Sequence, residues 1–199
     1  MTFHKTIAMT KCFLLTATAV AALVLTGCDS GGVPSPAEKL QGNQAQAPLA
    51  ANAVELRGEG MAAGSEAFYF AAGQKEVEAA LAKALGAPLR SGENGECGAG
   101  QVSFTDFAGG LTAHFQKGRL VGWNWHGPQD GDRAATGIIK LAGGVQLGSA
   151  RSVVEAAPGF AAVENSTLGE EFALGQKIGG FIEGDVAEML YAGRQCFFR

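Results

Sequence analysis

An α+β fold, with helices packed on an antiparallel β-meander, follows from three patterns in the sequence. Residues 74–85 place apolar side chains at helical spacing, residues 102–125 switch to period two, and both patterns recur more weakly between 149 and 183. The tetrapeptide Val-Glu-Ala-Ala stands in both helical segments, at 77–80 and 154–157, which suggests two helix-plus-meander repeats.

The chain opens with the parts of a secretory signal over residues 1–27. Lys5 and Lys11 precede an apolar run from Phe13 to Leu25, and small residues follow it. That run is short for a bilayer span. Leu25-Thr26-Gly27-Cys28 resembles the lipobox of bacterial lipoproteins. The resemblance implies that Cys28 is lipidated, becomes the new N-terminus and holds the exported protein to a bacterial membrane, facing the periplasm or the outside. Two or three acyl chains bind a bilayer far more firmly than one. Asp29 resembles an inner-membrane retention signal whose meaning differs between bacterial groups, so inner and outer membrane both stay open.

From Cys28 to Asn52 the chain is Gly, Ser, Pro, Gln and Ala with few large apolar residues, too little to offset the entropy of ordering. Residues 28–52 are therefore expected to be a flexible tether with a reach of roughly 25–30 Å. Without Lys5 and Lys11 the chain carries 13 basic against 19 acidic side chains. That balance leaves no basic footprint for nucleic acid and assigns membrane attachment to the lipid. Cys12 leaves with the signal and Cys28 is acylated, so Cys97 and Cys196 remain as a pair in an oxidising compartment. A disulfide between them closes a loop of about 100 residues and contributes on the order of 4–5 kcal/mol on the chain-entropy model.

Residues 53–199 then form one globular α+β domain. Val54–Arg57 alternates as an opening strand, and Ala67–Phe70 is a second apolar stretch. In the helix over 74–85, Val77, Leu81, Ala84 and Leu85 share a stripe, Glu76 and Lys83 suit the helix dipole, and Gly86 and Pro88 end it. Residues 91–96 read as a loop. Val102/Phe104, Leu111/Ala113/Phe115 and Val121/Trp123/Trp125 alternate as three strands facing that helix, with Gln116-Lys117-Gly118-Arg119 as a hairpin turn. A second helix is expected after Ser149, with Ala150, Val153, Val154 and Ala157 on one face, followed by strands at 160–164, 171–174 and 177–183. Asp185 and Glu188 have the spacing of a capping box for a last helical turn through Leu190, and Cys196-Phe197-Phe198 reads as a closing strand.

Gly73…Val77…Leu85-Gly86-Ala87-Pro88 and Gly148-Ser149…Val153 resemble the repeats of β-lactamase inhibitor protein and of small barrel-assembly lipoproteins. The resemblance implies a binding or assembly module, not an enzyme, with another envelope protein as partner. The second helix lacks the Leu-Gly-x-Pro ending.

The residues most apt for chemistry lie between Trp123 and Asp132. Trp123 and Trp125 share a strand face, which reads first as core and, alternatively, as a stacking platform for glycan or peptidoglycan. His126, Asp130 and Asp132 are of types that ligate a divalent metal or serve a hydrolase, but the remaining ligands of a calcium loop are missing and a solvated hairpin tip is the simpler reading. His114 alternates with Thr112 and Gln116 on a polar side and reads as a surface residue. Gly95–Gly100 lacks the dinucleotide fingerprint, and there is no P-loop, G-x-S-x-G or H-E-x-x-H. No cofactor or bound metal is expected, and the binding candidates are Trp123, Trp125 and His126.

Overall fold

The structure, a computed structural model, describes residues 49–129 and 132–197. Cys28, with its lipobox and most of the tether, lies outside the described residues. The elements run β1 (Ala53–Arg57), β2 (Gly60–Ala63), β3 (Glu66–Tyr69), α1 (Gln74–Leu85), β4 (Arg90–Asn94), β5 (Val102–Phe107), β6 (Leu111–Gln116) and β7 (Arg119–His126). They continue with β8 (Ile138–Leu141), α2 (Arg151–Glu155), β9 (Phe160–Ala162), β10 (Glu170–Leu174), β11 (Ile178–Glu183) and β12 (Val186–Gly193).

The expected α+β class, with helices laid on a meander, is overturned. Among the described residues the fold is mostly β, with twelve strands in two largely antiparallel sheets and two helices of 12 and 5 residues. A small sheet has the order β3-β2-β1-β8, with β8 parallel to β1. A large eight-stranded sheet has the order β4-β5-β6-β7-β12-β11-β10-β9. Helix α1 touches strands of both sheets, namely β1, β2, β5 and β7, so the meander's apolar face is closed by a second sheet as well as by a helix. Strands β1 and β2 bring Val54, Leu56, Met61 and Ala63 into the same core as Val77, Leu81 and Leu85 of α1 and Leu111, Ala113, Phe115 and Trp123 of the large sheet.

Helix α1 has the bounds that its stripe predicts, and Val77, Ala80, Leu81, Ala84 and Leu85 are its buried residues. The β6–β7 hairpin turns at Lys117 (φ 52°) and Gly118 (φ 71°). Positive φ at both central positions matches the right-handed strand twist. Three further expectations fail. Residues 91–96 begin inside β4 and are not all loop, the helical turn expected through Leu190 is β12, and Arg194–Phe197 carries no strand. Strand β5 is also turned over. Ser103, Thr105 and Phe107 pair with Phe115, Ala113 and Leu111, so they face the core, while Val102, Phe104 and Asp106 face the other side with Thr112 and His114. The Thr105 hydroxyl donates to Glu78 Oε1 of α1 at 2.7 Å, which confirms that orientation.

Two bulges interrupt the centre of the large sheet. His114 pairs with Gly122 and Phe115 with Leu120, so Val121 is an extra residue in β7. Phe181 pairs with Met189 and Ile182 with Ala187, so Glu188 is an extra residue in β12. A bulge bends its strand and re-aims a side chain.

Candidate functional site at the outer face of the large sheet

Opposite the core, β5, β6, β7 and β12 present Asp106, Thr112, Asn124, His126 and Met189. The bulge adds Glu188, and these residues line a shallow cleft of about 570 Å³ with Phe104, Arg90 and Gln129. A hollow of about 290 Å³ adjoins it, sharing Arg90, Asp106, Thr112, His126 and Gln129 and adding Asp132 and Arg133.

Several polar groups of this cleft are held by hydrogen bonds within the sheet. Asp106 is 8% exposed, accepts a hydrogen bond from Arg90 Nε at Oδ2 and accepts one from the Thr112 hydroxyl at Oδ1, 2.6 Å away. The Thr112 proton is thus committed to a carboxylate that an arginine already neutralises, an arrangement that fixes a shape and activates no nucleophile. His126 Nδ1 lies 2.6 Å from the Gly127 carbonyl oxygen. A carbonyl only accepts, so Nδ1 is the donor in this contact and Nε2 is the ring atom left to face the cleft's other groups.

His114 is not a surface residue. It is 8% exposed, Asn124 Nδ2 donates to its Nε2 at 2.9 Å, and burial holds its pKa down to about 4 against a weaker upward pull from Asp106. Beside it, over its register partner Gly122, the loop after β4 and the tail after β12 form a roof. The tail leaves β12 with Arg194 N–H donating to the carbonyl of the bulged Val121 at 2.8 Å. It then passes so close over Gly122 that a Cβ there would sit 2.3 Å from the Arg194 carbonyl oxygen. Gln195 donates to the Trp123 and Ala192 carbonyls at 3.0 and 2.9 Å, and Arg194 donates to Ala99 O and Gln116 Oε1 at 2.8 and 2.7 Å. Cys97 and Cys196 form a disulfide with Cα atoms 4.9 Å apart. Beyond it, the Phe197 ring meets Phe181 and Tyr191 edge-on, with centroids 5.5 and 5.1 Å away. His114 Nδ1 and Gln195 Oε1 are the buried side-chain polar atoms without a hydrogen bond among the described residues.

Of the residues singled out in the sequence, His126 and Asp132 both line the hollow, and Asp130 lies outside the described residues. Trp123 and Trp125 are 0% and 7% exposed, their indole N–H groups donating to Arg57 O and Gly109 O. Neither indole is a stacking platform. Among the described residues no group of three or more His, Cys, Asp or Glu is gathered to hold a metal. Sequence reading did not find Asp106, Thr112 and Glu188, which strand register and a bulge bring together, nor the cluster of Phe181, Tyr191 and Phe197. The one available signal for them was the alternation of β6, whose phase puts Thr112 opposite the core.

Comparison of the chain with protein-family models, with curated proteins and with solved structures found no match.

Proposed function

We propose that this protein is an exported lipoprotein, anchored to a bacterial membrane through acylated Cys28, whose domain binds another envelope protein at the outer face of the large sheet without catalysing a reaction. The lipobox resemblance and the tether composition support the anchoring half of this reading. The observation that carries the binding half is the cleft itself. Asp106 is buried and held by two donors, a bulge re-aims Glu188, and the lining presents hydrogen-bonding groups beside Phe104 and Met189. A surface whose polar groups are already held loses less freedom on association, and Phe104 and Met189 add apolar contact to it.

The test places a photo-crosslinking residue at Gln129 in the full chain and irradiates intact cells. One discrete protein adduct is expected, lost on combined Asn124→Ala and Glu188→Ala substitution. Absence of any discrete adduct, or an adduct indifferent to those substitutions, overturns the binding half. Retention of a Cys28→Ser variant in the membrane fraction overturns the anchoring half.

A further inference from the structure

We propose that the Cys97–Cys196 disulfide is a clasp that assembles one half of this outer face, so that thiol–disulfide exchange dismantles the surface while leaving the core folded. The proposal rests on the reading of the outer face as a binding surface, and adds its regulation.

Three observations carry it. First, Phe197 reaches Phe181 and Tyr191 from the residue directly after Cys196, so the bond that fixes Cys196 also fixes the ring that completes the aromatic cluster. Second, the tail and the sheet residue beside it are poorly satisfied. His114 Nδ1 and Gln195 Oε1 are both buried and unpartnered, and an unpaired buried polar group favours the state in which water reaches it. Third, the roof is separable. Neither Cys97, Cys196 nor Phe197 belongs to the main core cluster, and the pairing of β12 with β7 from Met189 to Gly193 uses no residue of the tail.

The chemistry is a two-electron exchange with a dithiol, the class of thiol–disulfide oxidoreductases and of small dithiol reagents. Cys97 is 5% exposed, whereas Cys196 is only partly buried, so the first thiolate attacks Cys196 Sγ. A mixed disulfide forms and Cys97 leaves as a thiolate that takes up a proton. The reagent's second thiolate then attacks the mixed disulfide. Cys196 is released and protonated, and the reagent departs as a disulfide. The protein has gained two electrons and two protons.

Freed of the bond, the tail is held by Arg194 and Gln195 alone. The Phe197 ring leaves its cluster, and Gly122, beside His114, is uncovered.

The experiment compares the full chain, oxidised and after dithiothreitol, by hydrogen exchange with mass spectrometry, alongside Cys97→Ser/Cys196→Ser and Phe197→Ala variants. Opening of the bond is expected to raise exchange by about tenfold or more in peptides covering 95–101 and 194–197, with 170–174 and 111–115 still protected. Unchanged exchange in the roof, or protection lost throughout the sheets, overturns the clasp and leaves a plain staple.

The same samples are then carried through crosslinking from Gln129. Adduct yield is expected to fall about tenfold in the reduced protein and in Phe197→Ala, which keeps the bond and loses only the ring. Equal yields in all forms overturn the regulatory role. A roof that opens on reduction, with no adduct even from the oxidised chain, overturns the binding reading and leaves the clasp standing.

Discussion

The inner and outer faces of the large sheet use alternate residues of the same strands, yet they are closed to water by different means. On β6 the inward Leu111, Ala113 and Phe115 are fully buried against α1 and the small sheet. The outward Thr112 and His114 are nearly as buried, each at 8%, although neither belongs to the main core cluster. Thr112 is tied by hydrogen bonding to Asp106 and its arginine, and His114 sits beside Gly122, over which the tail passes. The inner face gains its stability from area removed from water. The outer face has rigidity of a kind that depends on a few named bonds, so it is the face on which single changes alter shape before they alter fold.

Substitutions on the two faces sharpen that contrast, and the largest effect belongs to the inner one. Trp123→Ala removes a fully buried ring and the indole bond to Arg57 O, and is expected to cost about 3–5 kcal/mol in chemical denaturation. A loss under 1 kcal/mol would mean that the inner face is not one core.

Next comes the response to acid. The folded-state pKa of His114 is lowered to about 4 from 6.5, so the unfolded chain binds the extra proton between those values. This group's contribution is full above pH 6.5 and is lost as pH falls toward 4, by about 3 kcal/mol in all. His114→Gln is expected to flatten the stability profile over that window, and a profile of unchanged slope would contradict the burial argument.

Gly122→Ala is smaller. Its methyl would meet the Arg194 carbonyl oxygen at 2.3 Å, so the tail must shift, at about 1–3 kcal/mol, with faster exchange in 194–197 and little change on β10. Thr112→Val is the mildest. It removes one bond to the buried Asp106 carboxylate, about 1.5 kcal/mol in equilibrium unfolding, with adduct formation at Gln129 reduced as the cleft loosens.

Parts of this architecture were legible in the sequence because local pattern and tertiary role agree. Helix α1 has one apolar stripe and one core to face, and the β6–β7 hairpin has its turn residues between two alternating runs. Cys97 and Cys196 pair as cysteine counting expects. Strand β4 was hidden because it is an edge strand with no fully buried residue, so burial imposes no alternation on it. Strand β12 was hidden for a different reason. Glu188 bulges, so Ala187 and Leu190 both reach the core although they are three residues apart, a spacing that in sequence imitates a helix. The phase of β5 is not legible because Val102 and Phe104 are apolar yet lie on the outer face, where Phe104 lines the cleft. The cleft's members come from separate strands, and only register places Asp106 beside Thr112.

The pairing of β7 with β12 has a consequence for how the chain folds during synthesis. Strands β4 to β7 make a complete meander whose last strand, in the finished sheet, is not an edge. Until residues 186–193 emerge, β7 offers a row of unpaired backbone groups with Trp123 and Trp125 beside it, and such an edge invites association with other chains. The half-made protein is therefore its own most sticky form. Any delay before residues 186–193 join β7 prolongs the time for which that edge is open to other chains.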